Sequence, residues 1–596
     1  MATAELPRRW AWPGLAAVLV GGLGLRLWGV RQGLPYVYNT DEADHFVSRA
    51  VAMFGHGLNP HYFANPPAFT YLLHFLFALS YGGKTGVQHT FALHPADVYT
   101  LARAAAAVLG TVALWLLYAT GARLFGRAVG LLAAAIEAVA FLPVFYSHLA
   151  LNDVPTLAPL TLSLLGTAGV LRKGRTRDYV LAGLGLGLAC ASKYTAGIVL
   201  VPFAAAVAIC YLDGEEGAAR RTLGAIALTA AVALLAFLIA NPYALLDYQG
   251  FHSGLVHQST LSAEAQGKLG APRDGGIAYY LWSLSWGLGW VPALAALAGA
   301  LAVWRSELRL GWTLVPAPLL FLAFMGLQGR YFGRWLLPIF PIICLLAAFF
   351  ALRAARALAT AVLAREDGRT ARSPGAPSRS PRRTALARLA AVGLAALLVA
   401  ALLAQGLTHS VHSGLVLARA DTRNLTRAWM VAHVPVGAPI TAEPVSPDNW
   451  ARERADSSTA ANPYRWKKYP SLLSRISADG ALRADASQLV EIENYERTLS
   501  PALLGYYERH RYCWVVSGSI QSGRAFADPN AVPQAIAYYR ALVRRGEVVF
   551  RASPYARGQH AVAFGFDWSF DYYPLAYHRP GPTMTVYRLH GGRCAR

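Results

Sequence analysis

Residues 36–71 read YVYNTDEADHFVSRAVAMFGHGLNPHYFANPPAFTY and follow closely on the first long apolar run of the chain, residues 11–30. Two adjacent carboxylates, Asp41 and Glu42, therefore stand near a membrane surface. Charged side chains at that depth are costly unless they pair or act, so they indicate a functional site. A partly desolvated carboxylate can act as a general base on an acceptor hydroxyl or amine. Alternatively, Thr40 and Asp41 cap the helix that follows them.

The composition is that of a polytopic membrane protein. Of the 596 residues, 55% are hydrophobic and only 14% are charged, which lies well outside the composition of ordinary soluble domains. A net charge of +22 would suggest a nucleic-acid partner in a soluble protein. Here the basic residues collect in loops between apolar runs, as the positive-inside rule requires. We therefore expect no nucleic-acid partner.

The positions of the basic loops predict the topology. Arg8 and Arg9 precede the first apolar run, so the chain should cross outward there. The apolar runs that follow predict about eleven membrane-spanning helices. Their expected bounds are 11–30, 98–122, 128–147, 154–171, two shorter runs within 178–212, 222–240, 278–303, 310–327, 335–352 and 386–405. This order places the acidic pair on the outer face and the basic loops inside.

The fold class expected from this pattern is mainly α, a polytopic helical bundle with a C-terminal extracytoplasmic α/β domain. Residues 1–407 form the predicted transmembrane domain. It contains an outer loop, 31–97, and a basic Ser/Pro/Arg-rich linker, 353–385, which should be cytoplasmic and disordered. Residues 408–596 alternate helix and strand signals. Helices are predicted at 420–434, 500–510 and 533–545, and strands at 438–443, 511–519 and 583–589. The expected location is the cell (inner or plasma) membrane, with the tail periplasmic or extracellular.

The second outer loop, SHLALND at residues 147–153, offers two further candidates, His148 and Asp153. Asp153 stands just before the predicted helix 154–171, where a capping role is the alternative to a direct catalytic one. The presence of His148 on the same short loop favours the catalytic interpretation.

Three cations lie near outward helix ends: Arg103, Lys193 and Arg330. A phosphate-bearing ligand needs such groups, since Arg contacts phosphate with two donors and Lys acts as a point charge. Snorkelling to lipid head groups is the alternative for any one of them. Their occurrence together, on the same face as the acidic loop, favours a phosphate site.

An ordered series of motifs then resembles the GT-C integral-membrane glycosyltransferases, specifically the superfamily of protein O-mannosyltransferases and lipid A aminoarabinose transferases. No single motif is specific, but the order of six is. The series consists of the acidic pair, YFANPPAFTYLL (62–73), RAAAAVLGTVAL (103–114), SHLALND (147–153), SKYTAG (192–197) and RYFGRWLLPIFPII (330–343). It spans roughly residues 1–350.

The resemblance implies transfer of a sugar from a polyprenyl-phosphate donor with inversion at the anomeric carbon. It makes Asp41 the catalytic acidic residue, with Glu42 beside it, and Arg103 the arginine that holds the lipid phosphate. Lys193 and the pair Arg330 and Tyr331 would lie near the same phosphate.

Tyr62, Asn65 and His148 are weaker candidates for substrate contacts. Aminoarabinose transferases carry a lysine where Asn65 stands, so the grip on the donor phosphate should differ here. The 241–277 loop is too short for the β-trefoil domain of protein mannosyltransferases, which leaves the acceptor open among glycan, lipid and protein. No cofactor is required. A divalent metal could bridge carboxylates and phosphate, but no ligand pattern demands one.

Membrane lipid and a polyprenyl-phosphate sugar are thus the expected partners. The main rival is a polytopic transporter or flippase for lipid-linked sugars, which should show mid-membrane charges and paired half-helices. A second rival is a scaffold whose outer domain binds a partner. The charges at outer helix ends favour the enzyme.

Five cysteines show no CxxC motif and no clustering with histidine at ligand spacing, so neither zinc nor redox chemistry is indicated. Cys190, Cys210 and Cys344 fall in apolar segments and are expected in the core. Cys513 and Cys594 lie in the tail, where an oxidising compartment would allow a disulfide.

Overall fold

The computed structural model describes residues 6–213, 218–264, 268–272, 275–371, 381–469, 474–476, 482–484, 492–567 and 572–595. Within the described residues, eight helices are long and apolar enough to cross a membrane. They are Arg8–Leu27, Pro95–Leu124, Tyr194–Leu212, Thr222–Ala240, Gly276–Ser306, Leu308–Gly326, Gly333–Ala361 and Leu389–His433. The chain is a multi-pass membrane protein with a mainly helical fold, as predicted.

The remaining helices of the membrane part are shorter and either complete the bundle or cover its ends. They are Thr40–Glu42, Ala43–Val47, Ser48–His56, Ala68–Tyr81, Lys84–Leu93, Arg127–Val139, Phe141–Tyr146, Leu157–Arg172, Thr176–Ser192, Tyr243–Leu246 and Tyr248–Ala263. Two of the predicted spans are found among these shorter helices, at 157–172 and 176–192, and a third is divided between Arg127–Val139 and Phe141–Tyr146. The apolar helix Ala68–Tyr81 has 14 residues.

Two local expectations were wrong. The predicted span 128–147 is interrupted at Ala140, whose extended backbone (ψ 133°) separates Arg127–Val139 from Phe141–Tyr146. The polar segment after residue 240, expected as a loop, is helical over Tyr248–Ala263, where the Asp247 side chain caps the first turn by accepting from Gly250 N–H at 3.1 Å. This cap satisfies one of the amide donors that a helix start leaves unpaired.

The basic linker also differs from expectation. Helix Phe340–Ala371 runs through its first half and helix Pro381–Leu417 through its end, while residues 372–380 lie outside the described part. The alanine-rich stretch before Ala371 has high helix propensity, which the charge-based prediction of disorder overlooked. The predicted domain boundary at residue 407 falls inside the second of these helices.

The C-terminal domain is built on a five-stranded sheet in the order β2-β1-β5-β7-β6. The strands are β1 Pro439–Ala442, β2 Lys467–Lys468, β5 Trp514–Gly518, β6 Gly546–Ala552 and β7 Met584–Leu589, with a separate hairpin of β3 Ser474–Ile476 and β4 Leu482–Ala484. β1 is parallel to β2 and β5, whereas β7 is antiparallel to β5 and β6. Helices Thr422–His433, Ala502–Arg509, Ser519–Ala527 and Pro533–Arg545 flank the sheet.

A disulfide links two distant parts of this domain. Cys513 and Cys594 form a disulfide with a Cα–Cα distance of 5.5 Å, as the sequence had allowed. The other three cysteines are free, and Cys344 is buried in the main apolar core. The predicted helices at 422–433, 502–509 and 533–545 and the strands β1, β5 and β7 are confirmed, but β6 and the helix Ser519–Ala527 had not been expected.

The C-terminal domain holds the segment that leads into the acidic loop. Tyr36 is 2% exposed and packs in the core of that domain. The Tyr38 hydroxyl donates to the side-chain oxygen of Asn424, and the guanidinium of Arg423 lies 3.4 Å from the centre of the Tyr38 ring. Asn424 also donates to the Gly33 carbonyl at 3.2 Å. The path of the chain before Asp41 is therefore fixed by both parts of the molecule.

Candidate active site

The acidic pair lies on a short helix whose first turn is capped by its predecessor. The Asn39 side chain accepts a hydrogen bond from Glu42 N–H at 3.0 Å, so the cap is neither Thr40 nor Asp41 and the capping interpretation of the pair is wrong. Successive side chains on a helix point about 100° apart. Asp41 and Glu42 therefore face different surroundings although they are neighbours in sequence.

Glu42 is fully buried against Arg103. Arg103 donates from Nε and Nη2 to the two carboxylate oxygens at 2.7 and 2.8 Å, and Ala150 N–H donates to the same carboxylate at 2.9 Å. The remaining Arg103 nitrogen donates to the carbonyls of Val30 and Gln32 at 2.9 and 2.8 Å. The Glu42 and Arg103 side chains are 0% and 1% exposed, respectively. This geometry makes the pair a structural strut between the acidic loop and helix Pro95–Leu124.

Asp41 is partly exposed instead and lies between the acidic loop and the helical turn that carries Arg334; we call this partly open region the cleft. Its carboxylate accepts from Arg334 Nη2 at 2.6 Å, and the His45 ring nitrogen lies 3.8 Å from its other oxygen. One third of the Asp41 side chain remains exposed, compared with 18% of the Arg334 side chain. Arg334 stands at the start of the helical turn Gly333–Ile339, so the end of a membrane helix presents its cation directly to the acidic loop.

A second acid–base pair joins the first through the same arginine. Lys193 donates to one oxygen of Asp153, and Arg334 Nε lies 3.8 Å from the other. Asp153 does not cap a helix, because the helix begins four residues later at Leu157. A continuous chain of alternating charge thus runs through Asp41, Arg334, Asp153 and Lys193. We call these four residues the charge relay cluster. The sequence had predicted three of its four members.

Aromatic rings and one more cation surround the charge relay cluster. The Arg334 guanidinium lies 5.0 Å from the centre of the Phe332 ring and 5.9 Å from that of Tyr146. Lys268 lies over the Phe332 ring at 5.5 Å. The Tyr572 hydroxyl, from the C-terminal domain, is 2.9 Å from the Tyr146 hydroxyl. The faces of such rings attract cations, and the same faces can stack on the apolar face of a sugar.

Tyr62 and Asn65 line the side of the cleft next to Asp41. The Asn65 amide donates to the Tyr62 hydroxyl at 2.8 Å, and the Tyr62 ring stacks on His45 at 4.7 Å between centroids. Asn152 Nδ2 lies 3.4 Å from the Asn65 oxygen, which ties this wall to the loop that carries Asp153. The weaker predictions from the first loop therefore fall beside the cleft.

His148, Arg330 and Tyr331 lie elsewhere. His148 is 1% exposed, and its two ring nitrogens lie 2.9 and 3.2 Å from the carbonyls of Trp28 and Phe145. Arg330 pairs with Glu264 at 3.4 Å, and the Tyr331 hydroxyl donates to the Pro272 carbonyl at 2.6 Å. These contacts place Arg330 and Tyr331 against the segment that also carries Lys268. The predicted role of all three in binding substrate stays a prediction.

The pKa values of Asp41 and Lys193 are both lowered, by different causes. Burial raises the pKa of Asp41, but the positive charges of Arg334, His45 and Lys268 outweigh it, so this pKa lies below its ordinary value. Burial lowers the pKa of Lys193, against the opposing effect of the Asp153 carboxylate. The Asp41 carboxylate is therefore ionised at neutral pH and able to accept a proton.

Sequence reasoning missed two cations, Arg334 and Lys268. Arg334 stands four residues after Arg330 in the same motif, RYFGR, and a glycine precedes each of them. The glycine before Arg334 was the available signal, because a side chain at Gly333 would come within 3.1 Å of the Tyr572 hydroxyl. Such close packing marks the turn that faces the cleft.

Among the described residues, no group of three or more His, Cys, Asp or Glu side chains could hold a metal ion. Asp41 and Asp153 both face Arg334. That no cofactor is required stays a prediction.

Residues 64–245 match the family model described as dolichyl-phosphate-mannose-protein mannosyltransferase. This match spans Asn65, Arg103, Asp153 and Lys193, and it confirms the resemblance to GT-C enzymes that the motif series had indicated. Asp41 and Arg334 lie outside the matched range. A search of the curated proteins gives no match.

Several solved structures resemble the chain at low identity. The archaeal oligosaccharyltransferase AglB from Archaeoglobus fulgidus, in complex with an inhibitory peptide and a dolichol-phosphate, is 14% identical, with a TM-score of 0.49 over 91% of this chain and 73% of that one. ArnT from Cupriavidus metallidurans, bound to undecaprenyl phosphate, is 15% identical, with a TM-score of 0.43 over 73% of this chain and 83% of that one. Arabinofuranosyltransferase AftD from Mycobacteria is 17% identical, with a TM-score of 0.39 over 99% of this chain and 42% of that one.

Proposed function

We propose that this chain moves a sugar from a polyprenyl-phosphate donor to an acceptor on the outer face of the membrane. The family match supports this proposal, because it points to the GT-C glycosyltransferase superfamily. The observation that carries the proposal is the Asp41–Arg334 contact at 2.6 Å within the charge relay cluster. In this proposal Asp41 is the proton acceptor and Arg334, beside it, is a cation that holds the donor phosphate. The acceptor is a glycan, a lipid or a protein.

Asp41 acts as the general base. The acceptor hydroxyl attacks the anomeric carbon of the donor from the face opposite the lipid phosphate, which inverts the configuration. As the new C–O bond forms and the bond to phosphate breaks, the hydroxyl proton passes to the Asp41 carboxylate. A carboxylate of lowered pKa suffices, because the hydroxyl becomes strongly acidic only as its oxygen bonds to carbon.

The cations stabilise the leaving group. The lipid phosphate departs with the bonding electron pair, so it requires positive charge and no proton. Arg334, Lys193 and Lys268 approach the cleft from three separate segments and supply that charge. When the donor is absent, Arg334 and Lys193 are neutralised by Asp41 and Asp153. Donor binding therefore exchanges carboxylate partners for phosphate oxygens and leaves Asp41 open to the acceptor.

Glu42 and Arg103 have a positioning role in this scheme. Each of the three Arg103 nitrogens donates to Glu42 or to one of two carbonyls, which favours a strut over the predicted contact with lipid phosphate. Arg330 and Tyr331 hold the segment of Lys268 in the same way. The tail lies outside the cytoplasm in this proposal. Its disulfide is consistent with an oxidising compartment, and so is the distribution of basic loops.

The test uses purified full-length protein in detergent with polyprenyl-phosphate mannose, arabinose and aminoarabinose as donors. The acceptor is a membrane and envelope extract from a strain that lacks the protein. Asp41→Asn should reduce transfer about 10²- to 10⁴-fold. The matched control is Asp44→Asn, since Asp44 is exposed on the same short helical segment. It should retain wild-type transfer.

Two results would overturn the proposal. One is transfer by Asp41→Asn at the wild-type rate with a donor that the wild type uses. The other is movement of the labelled donor across reconstituted vesicles by the wild type without any transfer, which is the behaviour of a flippase.

A further inference from the structure

A cavity in the C-terminal domain lies on the face of the sheet opposite the core that contains Tyr36. It has a volume of about 450 Å³ and is bounded by strands β5, β6 and β7 and by helices Ser519–Ala527 and Pro533–Arg545. This size is within the range of small-ligand sites. The cavity shares no lining residue with the charge relay cluster.

The floor of the cavity is polar, which is unusual for a sheet face beneath helices. Ser517, Thr585 and Arg551 are direct cross-strand partners on β5, β7 and β6 and form one polar row. Beneath the row, Glu443 is fully buried and accepts from the Ser517 and Tyr539 hydroxyls at 3.0 and 2.8 Å. Glu443 therefore fixes this side of the floor.

Two hydroxyl groups in the floor have no use within the domain. Thr585 and Tyr587 line the cavity with only 7% and 8% of their surface exposed. Neither hydroxyl makes a hydrogen bond to any described residue. Both hydroxyl groups are therefore available to bond to a molecule in the cavity. Their orientation toward an open cavity indicates a ligand with hydrogen-bonding groups.

The rim supplies positive charge and an apolar ring. Arg540, Arg544 and Arg551 all line the cavity, and none of them forms an ion pair among the described residues. No aspartate or glutamate is among the lining residues. Phe526, also at the rim, is 49% exposed. Arginines without acidic partners bind phosphate or carboxylate, and an exposed ring stacks on the apolar face of a sugar.

We propose that this cavity binds an anionic saccharide, with its phosphate or carboxylate on Arg540, Arg544 and Arg551 and its hydroxyls on Thr585 and Tyr587. A neutral sugar would leave the arginines unused, and a simple anion would leave the two hydroxyls unused. The site goes beyond the proposed transfer reaction and does not depend on it.

The cavity is nevertheless linked to the catalytic cleft. Helix Ser519–Ala527 lines it at one end, and the residue after that helix, Asp528, accepts from Gly270 N–H at 2.9 Å. Gly270 lies two residues from Lys268, whose charge acts on Asp41. A saccharide in the cavity would thus lie one short helix away from the segment that lines the cleft.

The experiment measures binding to the full-length protein in detergent by titration calorimetry and saturation-transfer NMR. The probes are glucose 1-phosphate, an oligomer of glucuronic acid, glucose and inorganic phosphate. The variants are Arg540→Gln/Arg544→Gln, Thr585→Val and Tyr587→Phe. The control is Arg557→Gln, which removes an exposed arginine of the same domain that does not line the cavity.

Glucose 1-phosphate or the glucuronic acid oligomer should bind at least about tenfold more tightly than glucose or phosphate. The double arginine variant should weaken this binding about 30-fold or more, and each hydroxyl variant about five- to tenfold. The control should leave it unchanged, and unchanged thermal unfolding would show that the variants fold. Absence of binding by both anionic probes would overturn the proposal. So would equal affinity for inorganic phosphate alone, or insensitivity of the binding to all three variants.

Discussion

Isosteric substitution of the two adjacent carboxylates should separate catalysis from stability. Asp41→Asn changes a side chain that is one third exposed and whose partner Arg334 keeps Asp153 nearby. The cost in unfolding free energy should stay below about 1 kcal/mol, as for exposed ion pairs. Glu42→Gln breaks a fully buried pair in which the carboxylate accepts three hydrogen bonds. It leaves Arg103 charged and buried, which costs about 3–5 kcal/mol.

The assay pairs thermal unfolding of the detergent-solubilised protein with donor-dependent transfer at a temperature where both variants are folded. Asp41→Asn should unfold near the wild-type temperature and show almost no transfer. Glu42→Gln should unfold several degrees lower and, when folded, retain a substantial rate. Adding Arg103→Met to the Glu42 variant removes the stranded charge and should restore part of the stability.

The opposite assignment would produce a different pattern. If Glu42→Gln abolished transfer without lowering the unfolding temperature, Glu42 would be the base, and the role given to Asp41 would be refuted. A large loss of stability in Asp41→Asn would likewise show that the cleft pair is structural.

Three further outcomes follow from the geometry. Arg334→Gln should lower kcat/KM about 10²- to 10³-fold, measured with saturating acceptor, while Arg334→Lys should retain part of the rate. Equal rates for Arg334→Gln and the wild type would contradict this. Burial raises the pKa of Glu443 to about 7, above its value in the unfolded chain, so the folded state holds its proton more tightly. The domain should therefore lose roughly 3 kcal/mol of stability as pH rises from 4.5 to above 7. Thermal unfolding should show this dependence in the wild type and lose it in Glu443→Gln; an identical slope in both would count against it. Replacing Cys513 and Cys594 by Ser opens a loop that the disulfide closes over a sequence separation of 81 residues. The free energy of unfolding should fall by about 4 kcal/mol, measured as a shift in the denaturant midpoint. An unchanged midpoint would argue against the entropic account.

Sequence patterns predicted the membrane fold well, because its determinants are local. A run of apolar residues of sufficient length must span, and Arg8 and Arg9 orient the first span without reference to the rest of the chain. The strands β1, β5 and β7 were equally visible as short β-rich runs. The helix after residue 247 was missed because its side chains are mostly polar, so it lacks the periodicity that marks a buried face.

The site was predicted in part, for a different reason. Asp41, Asp153 and Lys193 stood out because each is a charge near an apolar segment. Which charge pairs with which depends on contacts between distant segments, such as Arg334 with Asp41, and a motif does not encode side-chain direction. Asp41 and Glu42 look equivalent as letters, yet one helical step turns Glu42 into the protein interior and Asp41 toward the cleft.

The grip of the C-terminal domain on Tyr36 and Tyr38 has an evolutionary consequence. The chain that enters the acidic loop folds against Asn424 and Arg423, so the membrane half carries the charge relay cluster but depends on the tail to hold the loop of Asp41. Recombination that exchanged the tail for that of a distant relative would remove the contacts that position the acidic loop, even if every membrane helix were kept. The two halves must be inherited together, and compensating changes should appear on both sides of this contact.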